Sequence, residues 1–168
     1  MARDTRTELY RFSPFVFLAV VFSAFFLQAY VPFYVPAASL LDLPLLVVIY
    51  FALSRRNPST GLTLGLVVGV AQDALTHHPI GQYGMAKTLV GFAASWVAIR
   101  LETEQPVARL LLVFGFFLLH HVIFGGVEWL LLGQPAALLN LQMLEAALVT
   151  ALLGVLVFRL LDRFRRPA

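Results

Sequence analysis

Two charged residues stand inside otherwise uncharged stretches of this sequence, and they are the first candidates for chemistry. Asp73 and Lys87 each interrupt a long run of apolar and small residues, and an ionisable group is costly to bury in such a run. They lie a few residues on either side of a short loop. We therefore predict an ion pair between Asp73 and Lys87 that holds two antiparallel helices in register, although desolvation leaves it little net stabilisation.

Three further polar residues are predicted within apolar helices. His121 and Glu128 are seven residues apart, which places them about 20° apart around a helix, and Glu145 lies inside the next apolar run. One interpretation is a polar cavity or proton path formed by these three residues and Asp73. We favour the alternative, in which Glu128 lies at the membrane interface while His121 and Glu145 form hydrogen bonds between helices.

Two pairs of adjacent histidines, His77-His78 and His120-His121, raise the question of a metal site. Adjacent residues on a helix point about 100° apart, so neither pair forms the i, i+4 arrangement of helical zinc sites. The chain has no phosphate-binding loop, no nucleophile-elbow sequence and no serine with a base placed to activate it. We therefore predict no metal, no cofactor and no catalytic residue, and expect a protein that is not an enzyme.

The surrounding sequence is that of a membrane protein. Of its 168 residues 60% are hydrophobic and 12% are charged, and the mean hydropathy is +0.86, values that soluble domains do not reach. A spanning helix needs roughly 20 residues, so six helices with short loops occupy the whole length. We predict an all-α polytopic membrane protein, a single domain of residues 1–168, with spans at 12–31, 40–54, 59–76, 84–101, 106–132 and 136–160.

The arginines predict the orientation of these spans. Of the 12 lysines and arginines one is Lys87, and the other 11 are arginines. They fall in the N-terminal segment, the loops near Arg55 and Arg100, and the C-terminal segment, which alternate with segments that contain none. Cytoplasmic loops hold an excess of basic residues, so both termini are predicted to be cytoplasmic. The net charge of +3 then reflects topology, and we expect no nucleic-acid partner.

A regular series of small residues crosses the third predicted span. Gly61, Gly65 and Gly69 recur every four residues and Asp73 continues the series, so that all four lie in one sector of about 120°. Small residues at this spacing let another helix backbone approach closely. Packing within the chain is the interpretation that we favour, and docking of a partner helix on the same face is the alternative.

Residues 40–101 contain four features in a fixed order. They are an apolar span with Pro44 and Tyr50, a basic turn, the glycine series that ends at Asp73, and a Pro79-x-Gly81 outer loop. This order resembles the rod shape-determining protein MreD family, from whose pattern Gln72 and Lys87 depart.

The resemblance implies a multi-pass component of the bacterial inner membrane. Such a component binds MreC and works with MreB, RodA and its partner penicillin-binding transpeptidase in peptidoglycan synthesis during cell elongation. The resemblance also implies a fold similar to the substrate-binding subunits of energy-coupling-factor vitamin transporters.

Two functions follow from these expectations. The first is a non-enzymatic scaffold embedded in membrane lipid, with the glycine face as a candidate dock for the transmembrane helix of MreC. The second is the substrate-binding subunit of a small-molecule importer, which needs an outward-facing pocket with converging polar groups. The outer loops offer few such groups, chiefly Asp42, His77-His78 and Gln82, so we favour the scaffold.

Overall fold

The regular structure of the described residues is helical throughout. The structure, a computed structural model, describes residues 14–76, 79–133 and 140–164. Within them a short 3₁₀ segment, Pro36–Leu40, separates the first two of six α-helices. The helices are α1 (Pro14–Tyr34), α2 (Leu43–Arg55), α3 (Pro58–Thr76), α4 (Gln82–Arg100), α5 (Pro106–Leu132) and α6 (Leu141–Asp162). The predicted all-α fold is confirmed.

The short helix α2 is the centre of the bundle. It contacts α1, α3, α4, α5 and α6, and its residues 44–54 are all buried. Its 13 residues rise about 20 Å, which is less than the roughly 30 Å of a hydrocarbon core. Because other helices surround it, α2 does not have to match the thickness of the lipid.

The six helices differ in how well their sequences suit lipid. By length and hydropathy α1, α5 and α6 can each cross a membrane. Helices α3 and α4 are the most extensively packed pair in the bundle, and they carry glycine, threonine, glutamine and one charged residue each inside the helix. Their inner faces meet another helix in place of lipid, and by length and hydropathy neither is a candidate span.

The end of α1 differs from its predicted position. The prediction placed the end of the span at residue 31, before Pro32, but the helix continues to Tyr34 with Pro32 inside it. A proline in the last turn removes only one backbone hydrogen bond. Gln28 fixes the chain beyond this point, because its Nε2 donates to the carbonyl oxygen of Leu41 at 2.8 Å and its Oε1 accepts from the amide of Leu43 at 2.9 Å.

Side-chain contacts join several helix termini at one end of the bundle. Asp162 accepts hydrogen bonds from the hydroxyl of Tyr50 at 3.0 Å and from Nη1 of Arg109 at 2.6 Å, and Ser95 donates to the carbonyl oxygen of Ala52 at 3.0 Å. The last turns of α2, α4 and α6 therefore lie beside the first turn of α5. We call this the arginine end, and the predicted topology makes it the cytoplasmic end.

Candidate functional site

At the opposite end of the bundle, Asp73 closes the turn between α3 and α4. Its carboxylate accepts hydrogen bonds from the backbone amides of Gly81, Tyr83 and Gly84 at 2.8, 2.8 and 3.1 Å. These amides begin α4, where free N–H groups and the helix dipole favour a negative charge. Gly81 has a φ of 104°, a left-handed conformation that glycine adopts without strain. Asp73 thus acts as a cap on the following helix.

The glycine face of α3 packs directly on α4. A Cβ atom added at Gly61, Gly65 or Gly69 would overlap backbone atoms of α4, and at Gly69 it would lie 2.5 Å from the carbonyl oxygen of Tyr83. The glycines therefore allow the two backbones to approach within the same chain. Packing within the chain is what the structure shows, and the face is not available to a partner helix.

Lys87 forms a buried ion pair, but with a different acid from the predicted one. Its Nζ donates to Oδ2 of Asp42, and Lys87 is 0% and Asp42 7% exposed. Asp42 also caps α2, because its Oδ1 accepts from the amide of Leu45 at 2.9 Å. The predicted pair with Asp73 is wrong, since the oxygens of Asp73 already accept from three amides while Lys87, one turn further along α4, reaches the start of α2.

Three rings extend this polar centre into α5. Tyr83 and His120 lie nearly parallel with centroids 5.9 Å apart, and His120 and Phe124 lie nearly parallel at 6.1 Å. Nζ of Lys87 lies 5.4 Å from the centroid of Tyr83, within the range of a cation–π interaction. We refer to Asp42, Tyr83, Lys87, His120 and Phe124 as the Lys87 cluster.

A polar cavity of about 350 Å³ opens beside the Lys87 cluster. Its wall includes Asp42, Tyr83, His120 and Phe124 from the cluster, together with Gln72, Thr76 and His121, and the end of α1 and the 3₁₀ segment complete it. Lys87 is not part of the wall.

An apolar groove of about 410 Å³ lies on another side of the bundle, between α1, α2 and α6. Helix α1 packs on α2 and on the 3₁₀ segment, which leaves the groove open between α1 and α6. Its α1 side includes Phe15, Ala19, Ser23 and Leu27, and Ser23 is the one lining residue that is not apolar among those that the structure describes.

Comparison with known protein families identifies the chain. A family model described as rod shape-determining protein MreD matches residues 9–164. The chain belongs to the MreD family. This is a family of cell-shape components and not a known family of enzymes, and membership supports a role in rod-shape determination. No curated protein and no solved structure matches the chain, so the expected likeness to vitamin-transporter subunits stays a prediction.

Three of the four MreD-like sequence features have a role in the bundle. The glycine series and Asp73 build the α3–α4 hairpin, as described above. In the outer loop, the carbonyl oxygen of Pro79 accepts from the amide of Gln82 at 3.2 Å, and Gly81 provides the left-handed residue before α4. Tyr50 joins α2 to α6 through Asp162. These motif residues hold the helices together.

The other predicted polar residues do not assemble into one path. His121 lines the polar cavity, and its Nδ1 lies 3.0 Å from the carbonyl oxygen of Phe117 in its own helix. Glu128 is half-buried, Glu145 is exposed, and neither lines that cavity. His77-His78 lie outside the described residues, among which no group of three or more His, Cys, Asp or Glu side chains is arranged to hold a metal.

The sequence analysis predicted only Lys87 of the Lys87 cluster as a site residue and missed the other four, among them Asp42 and His120. Asp42 carries a usable signal, because an acid followed closely by Pro44 is typical of a helix start and lies on the same predicted outer side as Lys87. His120 carries none. Its burial depends on the orientation of α5, which periodicity does not determine in a helix that is apolar all round.

Proposed function

We propose that the chain is a non-enzymatic scaffold of the bacterial cell-elongation machinery, embedded in the inner membrane with six spans and both termini in the cytoplasm. Its direct partner in this proposal is MreC, and through MreC it acts with MreB, RodA and the partner penicillin-binding transpeptidase of RodA. The observation that carries the proposal is the MreD family match over residues 9–164. That match gives no support to the importer alternative.

The apolar groove is the surface that best suits the transmembrane helix of MreC. The glycine face of α3 is covered by α4, whereas the groove is open and lined almost entirely by apolar side chains. From Phe15 to Leu27 it follows α1 for about 18 Å. Ala19 and Ser23 lie one turn apart, and small residues at this spacing allow a second helix to approach closely. We therefore assign the groove to a single helix of MreC.

Filling the groove tests this assignment. Ser23→Trp places a large ring between α1 and α6, while Leu18→Trp places the same ring about 140° away around α1, at a position that is 62% exposed and outside the groove. Each protein is purified in mild detergent from cells in which it replaces the native chain. We expect MreC to co-purify with the wild type and with Leu18→Trp, and its recovery with Ser23→Trp to fall by about tenfold or more.

Protein level and thermal unfolding of both variants provide the control for folding. Equal recovery of MreC with Ser23→Trp and with the wild type would contradict the assignment of the MreC helix to the groove. It would not contradict the scaffold proposal. Absence of MreC from the wild-type preparation would contradict the scaffold proposal itself.

A further inference from the structure

The wall of the polar cavity contains buried polar atoms that the described part of the chain does not satisfy. Oε1 of Gln72 and both ring nitrogens of His120 have no hydrogen-bond partner there, and these residues are 5% and 2% exposed. The nearest carboxylate oxygen, Oδ2 of Asp42, lies 3.8 Å from Nε2 of His120, too far for a hydrogen bond. Buried polar groups are normally paired, so these atoms point to a ligand that pairs with them.

The wall offers both donors and acceptors to such a ligand. A neutral imidazole has one donor and one acceptor nitrogen, so His120 presents both, and the unpaired Oε1 of Gln72 presents an acceptor. Nδ1 of His121 lies 3.0 Å from the carbonyl oxygen of Phe117. A carbonyl only accepts, so Nδ1 carries a proton, and Nε2 is the ring nitrogen that this contact does not use.

The charges around the cavity favour a neutral ligand. The carboxylate of Asp42 is compensated by Lys87, which leaves no net negative charge to attract a cation. Lys87 itself is 0% exposed and does not line the wall, so no cation faces the cavity to bind an anion. The described residues also provide no metal-binding group.

The shape and the rings of the cavity define the ligand further. Tyr83, His120 and Phe124 all line it and give it an aromatic side next to its polar atoms. A volume of about 350 Å³ lies within the usual range for small-molecule sites. A compact ring with an apolar face and hydroxyl groups around its edge matches this wall, because hydroxyls both donate and accept.

We propose that the polar cavity binds a neutral saccharide ring. The C–H face of the ring packs on the aromatic side, and its hydroxyls exchange hydrogen bonds with Gln72, His120 and His121. The cavity lies at the end of the bundle opposite the arginine end, which the predicted topology places outside the cytoplasm. A free sugar and the sugar headgroup of a lipid share this chemistry.

The full chain in lipid nanodiscs tests the proposal. The discs contain only phosphatidylethanolamine and phosphatidylglycerol, and the protein is prepared without alkyl-glycoside detergents, because these carry sugars. The soluble probes are glucose and N-acetylglucosamine, followed by ligand-observed NMR. In a second arm, glucosyl diacylglycerol is added to the disc, and binding is followed as a rise in the unfolding temperature. We expect saturable binding in at least one arm. The arm in which binding occurs shows whether the ligand is a free sugar or the headgroup of a glycolipid.

Matched variants locate the site. Gln72→Leu and His120→Phe remove the unpaired polar atoms while keeping most of the side-chain volume, and each is expected to weaken binding by about tenfold or more. Gln82→Leu is the control, because both amide atoms of Gln82 are also buried and unpaired but Gln82 does not line the cavity. It should bind like the wild type.

Unfolding temperatures without ligand show which variants are folded, and either of the two wall variants suffices for the comparison. Absence of binding in both arms would overturn the proposal. Equal binding by the wild type and a folded wall variant, or an equal loss in Gln82→Leu, would overturn it as well.

Discussion

At the scale of single residues, the buried pair of Asp42 and Lys87 joins two helices that are distant in sequence. Asp42 begins α2 and Lys87 lies one turn inside α4, so the pair fixes the start of the central helix against the α3–α4 hairpin. A buried ion pair contributes little compared with an apolar pair of the same volume, but removal of one partner leaves a buried charge without compensation.

A double-mutant cycle tests this pair. Lys87→Met and Asp42→Asn are each expected to lower the free energy of unfolding by about 3 to 5 kcal/mol, because each leaves one partner unpaired. The double variant is expected to lose clearly less than the sum of the two. Thermal and denaturant unfolding in detergent measure these changes, and Glu102→Gln, at an exposed residue, is the control. Additive losses would show that the two groups are not coupled.

The sequence predicted the burial of Asp73 and Lys87 but not their partners. Asp73 and Lys87 stood out because a charge in an apolar run must be satisfied inside the bundle. The predicted pairing of Asp73 with Lys87 was wrong, because two side chains at a similar depth in the membrane can point toward different neighbours. The first amides of α4 lie closer to Asp73 than any cation of the described residues does. The start of α2 faces Lys87 only after three helices have packed.

At the scale of elements, the α3–α4 hairpin is the most closely packed unit of the bundle. Its glycines bring the two backbones together along α3, and Asp73 and Gly81 close the turn. In this hairpin the van der Waals contacts are made by the closely spaced backbones, whereas elsewhere in the bundle apolar side chains make them.

Alanine substitution separates packing glycines from exposed ones. In Gly65→Ala the new Cβ overlaps the backbone at Lys87 and Thr88, so we expect a loss of about 1 to 3 kcal/mol in the free energy of unfolding. Gly115→Ala is the matched control on α5, where the new Cβ meets no atom within 4 Å, and a gain of about 0.5 to 1 kcal/mol is expected from helix propensity. Equal effects of the two variants would contradict the packing of α3 on α4.

Several element boundaries could be predicted from apolar runs and their breaks, and the surfaces between elements could not. The bounds of α5 coincide with the prediction, and α2 was recognised despite its short length. The apolar groove left no signal in the sequence, because lipid-facing and groove-facing side chains on α1 are equally apolar. The end of α1 was misplaced because a proline near a helix terminus does not always end the helix.

At the scale of the whole molecule, the topology can be measured with thiol reagents, because the native chain has no cysteine. A membrane-impermeant maleimide added to intact spheroplasts should label Ser39→Cys and Asn140→Cys, which lie on the predicted outer side. It should label Asn57→Cys and Glu102→Cys only after the membrane is opened. Labelling of all four positions from one side would contradict the six-span arrangement.

The most direct test of the central claim is to ask whether the apolar groove holds the transmembrane helix of MreC in living cells. Ser23→Cys places a thiol in the groove, Leu18→Cys places one about 140° away on α1, and the partner carries a single cysteine at the middle of its transmembrane helix. After mild oxidation, the cross-linked species with Ser23→Cys should exceed that with Leu18→Cys by about tenfold or more. Equal yields, or a higher yield from Leu18→Cys, would contradict the claim.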